Sequence, residues 1–271
     1  MTKEKMRLLD SLLRSLGGAA VAYSGGVDST LLAAAAFNAL RDGAVAVTLD
    51  SPTLPSWEMR DARSFAAEIG IRHVILPVSE LNEPEFVANG RERCYYCKKF
   101  RLEYLNEWAG RSGIDWILDG SNTDDLSDYR PGSRALSEFE RVLSPFLEVG
   151  MSKVEVREAL RDIGLPTCSK PSSACLASRL EYGLEITPER LEQIESAEEC
   201  LRSLFPPDTQ IRVRHHGSIA RIEIPPRLLP LLTTEETSSS VSRYILSLGF
   251  KHVALDLSGY MMGSLNGEEL R

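Results

Sequence analysis

The segment from Ala19 to Ala36 leaves the chain little structural choice. A short apolar run, Ala19 to Tyr23, breaks into Ser24-Gly25-Gly26. It continues as Asp28-Ser29-Thr30-Leu31-Leu32 and four alanines, a strong helix former. The pattern is strand, glycine turn, helix. Two glycines let the backbone turn tightly and present bare N–H groups. The helix start behind them adds partial positive charge, and Ser24 and Ser29 add hydroxyls. Together they predict a phosphate cradle formed by Ser24, Gly25, Gly26, Val27, Asp28 and Ser29. A plain glycine turn would explain the loop but not Asp28, since a carboxylate beside bound phosphate is unfavourable unless a cation such as Mg²⁺ lies between them. No lysine follows the last glycine, so the loop is not a Walker loop.

The rest of the first half keeps the same alternation. Leu9, Leu12, Leu13 and Leu16 form the stripe of an amphipathic helix that stops at Gly17-Gly18. Strands are expected at 44–49, 73–78 and 116–118, and helices at 57–69, about 95–108 and 152–163. Helices alternating with short apolar strands predict an α/β fold, a parallel sheet with helices on both faces. After Pro166 the texture changes to a small, polar, proline-broken loop. Then come a helix from Pro188 to about Leu204, a hairpin of strands 210–215 and 219–224 joined by His216-Gly217-Ser218, a helix at 235–248 and a strand at 252–257. This predicts a domain at 1–170 and a smaller C-terminal α+β domain at 171–271 for substrate binding or oligomerisation.

With 31 Lys+Arg against 39 Asp+Glu, the chain carries a formal charge of −8. A broad grip on nucleic acid is therefore not expected. No apolar run is long enough to span a membrane, and the charged, amphipathic N-terminus lacks a signal-peptide pattern, so a cytoplasmic location is expected.

Five cysteines are an odd number, and Cys94-x-x-Cys97 argues for metal or redox chemistry. A two-residue spacer lets two thiolates face one inorganic centre, although a buried thiol pair or a redox dithiol gives the same spacing. With Cys175 on a loop, three thiolates could converge. That is one short of a closed zinc site or a fully ligated 4Fe–4S cluster, so one iron would stay open. Cys168 lies on the same loop, but its neighbours match no ligand pattern. Cys200 reads as core.

Asp124, Asp125 and Asp128 follow a strand. Turns use Asp there, yet strand C-terminal ends are also where ligands sit in α/β sheets, so Asp124 or Asp125 is a candidate for Mg-ATP. Asp128 reads as a turn residue. Arg212 and Arg214 alternate on one strand and share a face, which suits either a phosphate or solvent. Glu223 on the paired strand would neutralise them. His215 and His216 read as surface residues.

Ser24-Gly25-Gly26-Val27-Asp28-Ser29 resembles the PP-loop of the ATP pyrophosphatases, an adenine-nucleotide hydrolase-like fold whose members adenylate a carbonyl or carboxyl oxygen and release pyrophosphate. Four later stretches narrow this: Asp119 to Gly132, Ser144-Pro145-Phe146 with Lys153, Lys170 to Arg179 around Cys175, and Tyr182-Gly183. The whole resembles the LarE family of ATP-dependent sulfur transferases, which serve biosynthesis of the nickel-pincer nucleotide cofactor. The resemblance implies ATP and Mg²⁺ as cofactors and pyridinium-3,5-biscarboxylate mononucleotide as a small-molecule substrate. Its carboxylates become thiocarboxylates, and a homo-oligomer is implied. Catalytic roles fall to Asp28 and Cys175, and the substrate phosphate to Arg212 and Arg214. In single-cysteine members the position of Cys175 gives up its own sulfur. Cys94, Cys97 and Cys175 instead resemble the three-cysteine branch, with a 4Fe–4S cluster and an external sulfide source. The alternatives are the sacrificial route and a PP-loop enzyme that thiolates tRNA, which the acidic charge disfavours.

Overall fold

The computed structural model describes residues 2–126, 131–171 and 173–265. Asp128, Tyr129, Arg130 and Ser172 lie outside them. The chain divides into two compact units, Met1–Glu80 with Cys94–Ser172, and Leu81–Arg93 with Ser173–Arg271.

In the first unit, the strands β1 (Ala19–Ala22), β2 (Ala44–Asp50), β3 (Arg72–Pro77), β4 (Trp116–Leu118) and β5 (Val142–Leu143) form one sheet in the order β3-β2-β1-β4-β5. Every pair is parallel, as the βα alternation predicts. The strands are apolar because both faces are covered. Ala19, Val21, Ala44 and Ala46 pack with α1 (Thr2–Arg14), α2 (Val27–Leu40) and α3 (Ser56–Ile69). Ala20, Val45, Val47 and Ile117 face the other way, against Leu105 and Ala109. Those two belong to α5 (Arg93–Arg111), which follows the single turn α4 (Pro84–Val87). The short helices α6 (Pro131–Leu136) and α7 (Pro145–Glu148) precede α8 (Lys153–Asp162). Ser152 and Glu155 close the start of α8 with a capping box.

In the second unit, β6 (Arg212–His216) pairs antiparallel with β7 (Ile219–Glu223), and β7 pairs parallel with β8 (His252–Leu255). The helices α9 (Pro188–Arg202) and α11 (Glu235–Ser247) pack Ala197, Leu201, Val241 and Ile245 onto Val213, Ala220 and Ile222. The single turn α10 (Leu229–Leu232) lies between β7 and α11. Segment 81–93 groups with this unit rather than with the sheet that precedes it. Asn89, in the left-handed region at φ 54°, donates to the carbonyls of Glu181 (2.8 Å) and Leu184 (2.7 Å). Buried Arg93 donates to Ala177 O at 3.0 Å. Among the described residues, no helix is long and apolar enough to cross a membrane.

His215 corrects the expectation of a surface histidine. It is 2% exposed, set against Phe250 and 3.0 Å from Gln193. Burial pushes its pKa from 6.5 down to about 4, with Arg190 adding to the effect. The unfolded chain therefore takes up this proton first. The stability associated with neutral His215 is complete above pH 6.5 and is lost as pH falls towards 4. Urea unfolding should show a loss of about 2 kcal/mol between pH 6.5 and 5 from this residue. His215→Gln should remove that component of the acid slope.

Candidate functional site

The loop Ser24–Gly26 leaves β1 at the point where the strand order reverses, between β1 and β4. Ligands in open parallel sheets sit in the crevice at this point. Gly25 has φ +69°, and a Cβ there would lie 2.7 Å from Ala62 Cα at the side of α3. Gly120, just past β4, meets Asp28 closely too: its Cβ would lie 3.2 Å from Asp28 Cβ. Both positions favour glycine because the chain segments are packed tightly against each other. The loop is tied internally. Ser29 Oγ accepts from Ser24 N at 3.2 Å, and Ser24 Oγ accepts from Gly26 N at 3.4 Å. The first N–H groups of α2 have no carbonyl one turn back, and they point out of the helix start.

Above this loop lies a cavity of about 320 Å³. Ser24, Gly26, Asp28 and Ser29 line one side, Val47, Thr48 and Leu49 of β2 another, and Lys98, Arg101, Leu102 and Leu105 of α5 a third. Asp119, Gly120, Ser121 and Asp125 complete it. Glycine-loop, charged and apolar residues thus line the same cavity. Lys98 forms an ion pair with Asp119. Burial works against the Asp119 carboxylate, but Lys98 and Ser121 outweigh it and hold its pKa below the ordinary range.

Asp28 is not a bare carboxylate. It forms an ion pair with the Lys153 ammonium, and its Oδ1 accepts from Asn122 Nδ2 at 3.2 Å. The two downstream acids take different places. Asp125 lines the cavity, and its Oδ2 accepts from Asn122 N at 3.0 Å. Asp124 accepts from Lys153 N at 3.1 Å, at the start of α8. Lys153 therefore joins the glycine loop to the acidic turn, a role that no charge or spacing argument from the sequence assigns to it. Lys170 is a second such cation. It bridges Glu58 (2.9 Å) and Asp61 (2.6 Å) and donates to Gly25 O at 3.3 Å.

Cys94 and Cys97 stand on the first turn of α5, where a spacing of three puts both thiols on one side of the helix. Cys94 is exposed and Cys97 half-buried, and the Cys97 thiol donates to the buried Glu80 carboxylate at 3.9 Å. Cys175 belongs to the second unit and is half-buried. Among the described residues, no three or more His, Cys, Asp or Glu side chains are grouped to hold a metal ion. Cys94 and Cys97 are thus a pair of neighbouring thiols at a helix start. Cys200 is half-buried rather than fully in the core, and burial pushes its thiol pKa up.

Arg212 and Arg214 are not on a solvent-exposed strand face: they are only 4% and 6% exposed. Arg214 forks onto Glu223 Oε2 at 2.9 and 3.0 Å, so Glu223 does neutralise it. Arg212 donates to Ile211 O at 2.6 Å and lies over the Tyr260 ring. Burial, then the nearby Arg179 cation, brings its pKa down to about 10.

Residues 4–90 match the family model of NAD synthase. The chain is 36% identical over 265 residues to the pyridinium-3,5-bisthiocarboxylic acid mononucleotide synthase of Lactiplantibacillus plantarum, covering 97% of this chain and 94% of that protein. It belongs to the LarE family of ATP-dependent sulfur transferases. An uncharacterized protein of Synechocystis sp. is 41% identical over 266 residues, 98% of both chains. A glutamine-hydrolyzing GMP synthase chain of Thermoplasma acidophilum is 28% identical over 196 residues, 67% of this chain and 62% of that one.

The backbone contact at Gly25 yields a direct test. Gly25→Ala places a methyl group against Ala62 at a positive φ. It should lower unfolding free energy by roughly 1–3 kcal/mol, read as a shift in the urea midpoint.

Proposed function

We propose that this LarE-family chain adenylates the carboxylates of pyridinium-3,5-biscarboxylate mononucleotide with ATP and converts them to thiocarboxylates. The observation that carries the reading is the cavity over Ser24–Ser29, which sets the glycine loop and the start of α2 beside Val47, Leu49, Leu102 and Leu105. The relative named for making the bisthiocarboxylic acid mononucleotide supports the substrate class.

In this reading a substrate carboxylate oxygen attacks the α-phosphorus of ATP and pyrophosphate leaves. The acyl carbon, now bonded to adenylate, is electrophilic. A sulfur nucleophile adds there and AMP leaves, so a C–O bond is exchanged for C–S. The N–H groups of the loop and the hydroxyls of Ser24 and Ser29 hold the phosphates. Asp28 and Asp125, both facing the cavity, are the hard oxygen donors that fit Mg²⁺. Asp124 is engaged at the start of α8 and supports that geometry indirectly. Arg212 and Arg214 hold the substrate phosphate. Their shared strand supports this: both belong to β6, where residues two apart face the same side.

For the sulfur we propose the three-cysteine route, with Cys94, Cys97 and Cys175 as ligands of a 4Fe–4S cluster. The one-sided placement of Cys94 and Cys97 at the start of α5 fits two ligands of a shared centre. Bound there, such a cluster supplies an open iron able to carry sulfide from an external source. The active form in this reading is a homo-oligomer.

Asp28→Ala should abolish pyrophosphate release while circular dichroism shows an intact fold. Full release by the folded variant would remove Asp28 from the ATP site. The sulfur route has its own test. Anaerobic reconstitution should load about four irons per chain. Cys94→Ala, Cys97→Ala and Cys175→Ala should each lose the iron and the thiocarboxylate product yet keep pyrophosphate release. If Cys94→Ala still converts one substrate per chain and Cys175 becomes about 34 Da lighter, as loss of H₂S gives, the sacrificial route stands instead.

A further inference from the structure

Within the second unit, one ion pair is sealed from water. Arg179 and Glu198 are both 0% exposed, and the guanidinium forks onto the carboxylate at 2.9 and 3.1 Å. Burial works against the Arg179 cation, and Glu198 more than offsets it. An isolated buried pair of this kind often gives no more stability than apolar residues of the same volume. Its other contacts show what it arranges.

The free arm of Arg179 reaches the turn that carries Cys175. Its Nη1 donates to Cys175 O at 2.8 Å, and also to Ala174 O. Cys175 O accepts two further bonds, from Ser178 N at 3.0 Å and Ser178 Oγ at 2.7 Å. Three donors on one carbonyl fix the backbone of Cys175, while its side chain stays partly exposed. On the other side of the pair, Glu198 Oε1 accepts from Val213 N at 3.1 Å. Val213 lies between Arg212 and Arg214, and Arg214 Nη1 donates to Ser178 O at 3.2 Å. One carboxylate and one guanidinium thus join the Cys175 turn to the strand that presents the two arginines.

We infer that the Arg179–Glu198 pair is a positioning device: it sets the main chain of Cys175 at a fixed place relative to the Arg212/Arg214 phosphate site, and it serves sulfur delivery but not ATP cleavage. The inference rests on the proposed roles of Cys175 and of the arginines. Neither Arg179 nor Glu198 touches the reacting atoms in this scheme. Lysine cannot reproduce the fork, because it offers one point of charge in place of a planar array of donors. A misplacement of about 1 Å at a reacting centre costs up to roughly 10²-fold in rate.

The test compares the wild-type chain with Arg179→Lys and Ser178→Ala under reconstituting conditions. Two quantities are read: pyrophosphate released, and thiocarboxylate formed per pyrophosphate. Arg179→Lys should keep pyrophosphate release within about twofold and lower the product ratio at least about tenfold, in line with the cost of misplacement. Ser178→Ala removes one donor to Cys175 O and should lower the same ratio less. It also serves if Arg179→Lys does not fold. Hydrogen exchange at the Ser178 amide, faster in Arg179→Lys or in Ser178→Ala, reports the clamp without any chemistry. An unchanged product ratio with faster exchange would overturn the inference, as would a parallel fall of both products. A wild-type chain that makes no thiocarboxylate would instead refute the proposed function, with the exchange measurement still reporting the clamp.

Discussion

The first unit depends on one close approach of backbone to backbone. At the end of β1 the chain must reverse from strand to helix within a few residues, and α3 and the end of β4 press on it from two sides. Only glycine fits where Ala62 meets the turn, and Gly120 leaves room for Asp28. These contacts fix the start of α2 against the C-terminal edge of the sheet. The cavity, the acidic turn after β4 and the basic side chains of α5 are all arranged around that corner. The chemistry proposed for the chain uses the same N–H groups that the turn leaves without helical partners.

Much of this is legible in the sequence because it is local. The run from Ala19 through Gly26 to Ala36 encodes strand, turn and helix in consecutive residues, and alternating apolar runs encode the parallel sheet. The element positions agree within a few residues, as at the third strand, expected at 73–78 and found at 72–77. The two-residue strand β5 escapes such a reading because it is too short to carry a period. Arg212 and Arg214 are legible as a pair on one face. Their burial is not: the Tyr260 ring under Arg212 comes from a part of the chain distant in sequence. His215 misleads for the same reason: nothing beside it in the chain announces Phe250.

The charges that organise the site are the least legible. Lys153 and Asp28 are 125 residues apart, and Lys170 and Gly25 are 145 apart. A single lysine in an amphipathic helix start or a polar loop has no pattern that points to its partner. Their effect is nevertheless plain. Asp28 is already neutralised by an ammonium, so the carboxylate beside the nest is compatible with an anion before any metal arrives. The family motif marks where these residues stand, and the physical reason for them appears only when the sheet brings its loops together.

Asn89 has a consequence of another kind. Its left-handed backbone and its two amide bonds fasten segment 81–93 to residues that come some ninety positions later. The polypeptide therefore passes between the two units three times, at 80/81, 93/94 and 172/173. A C-terminal cassette starting near residue 173 would leave the carbonyls of Glu181 and Leu184 without the amide that satisfies them. The second unit consequently cannot be exchanged between genes as one contiguous block. A cassette that keeps these bonds must carry the thirteen residues ahead of Cys94 as well as the segment that begins at residue 173.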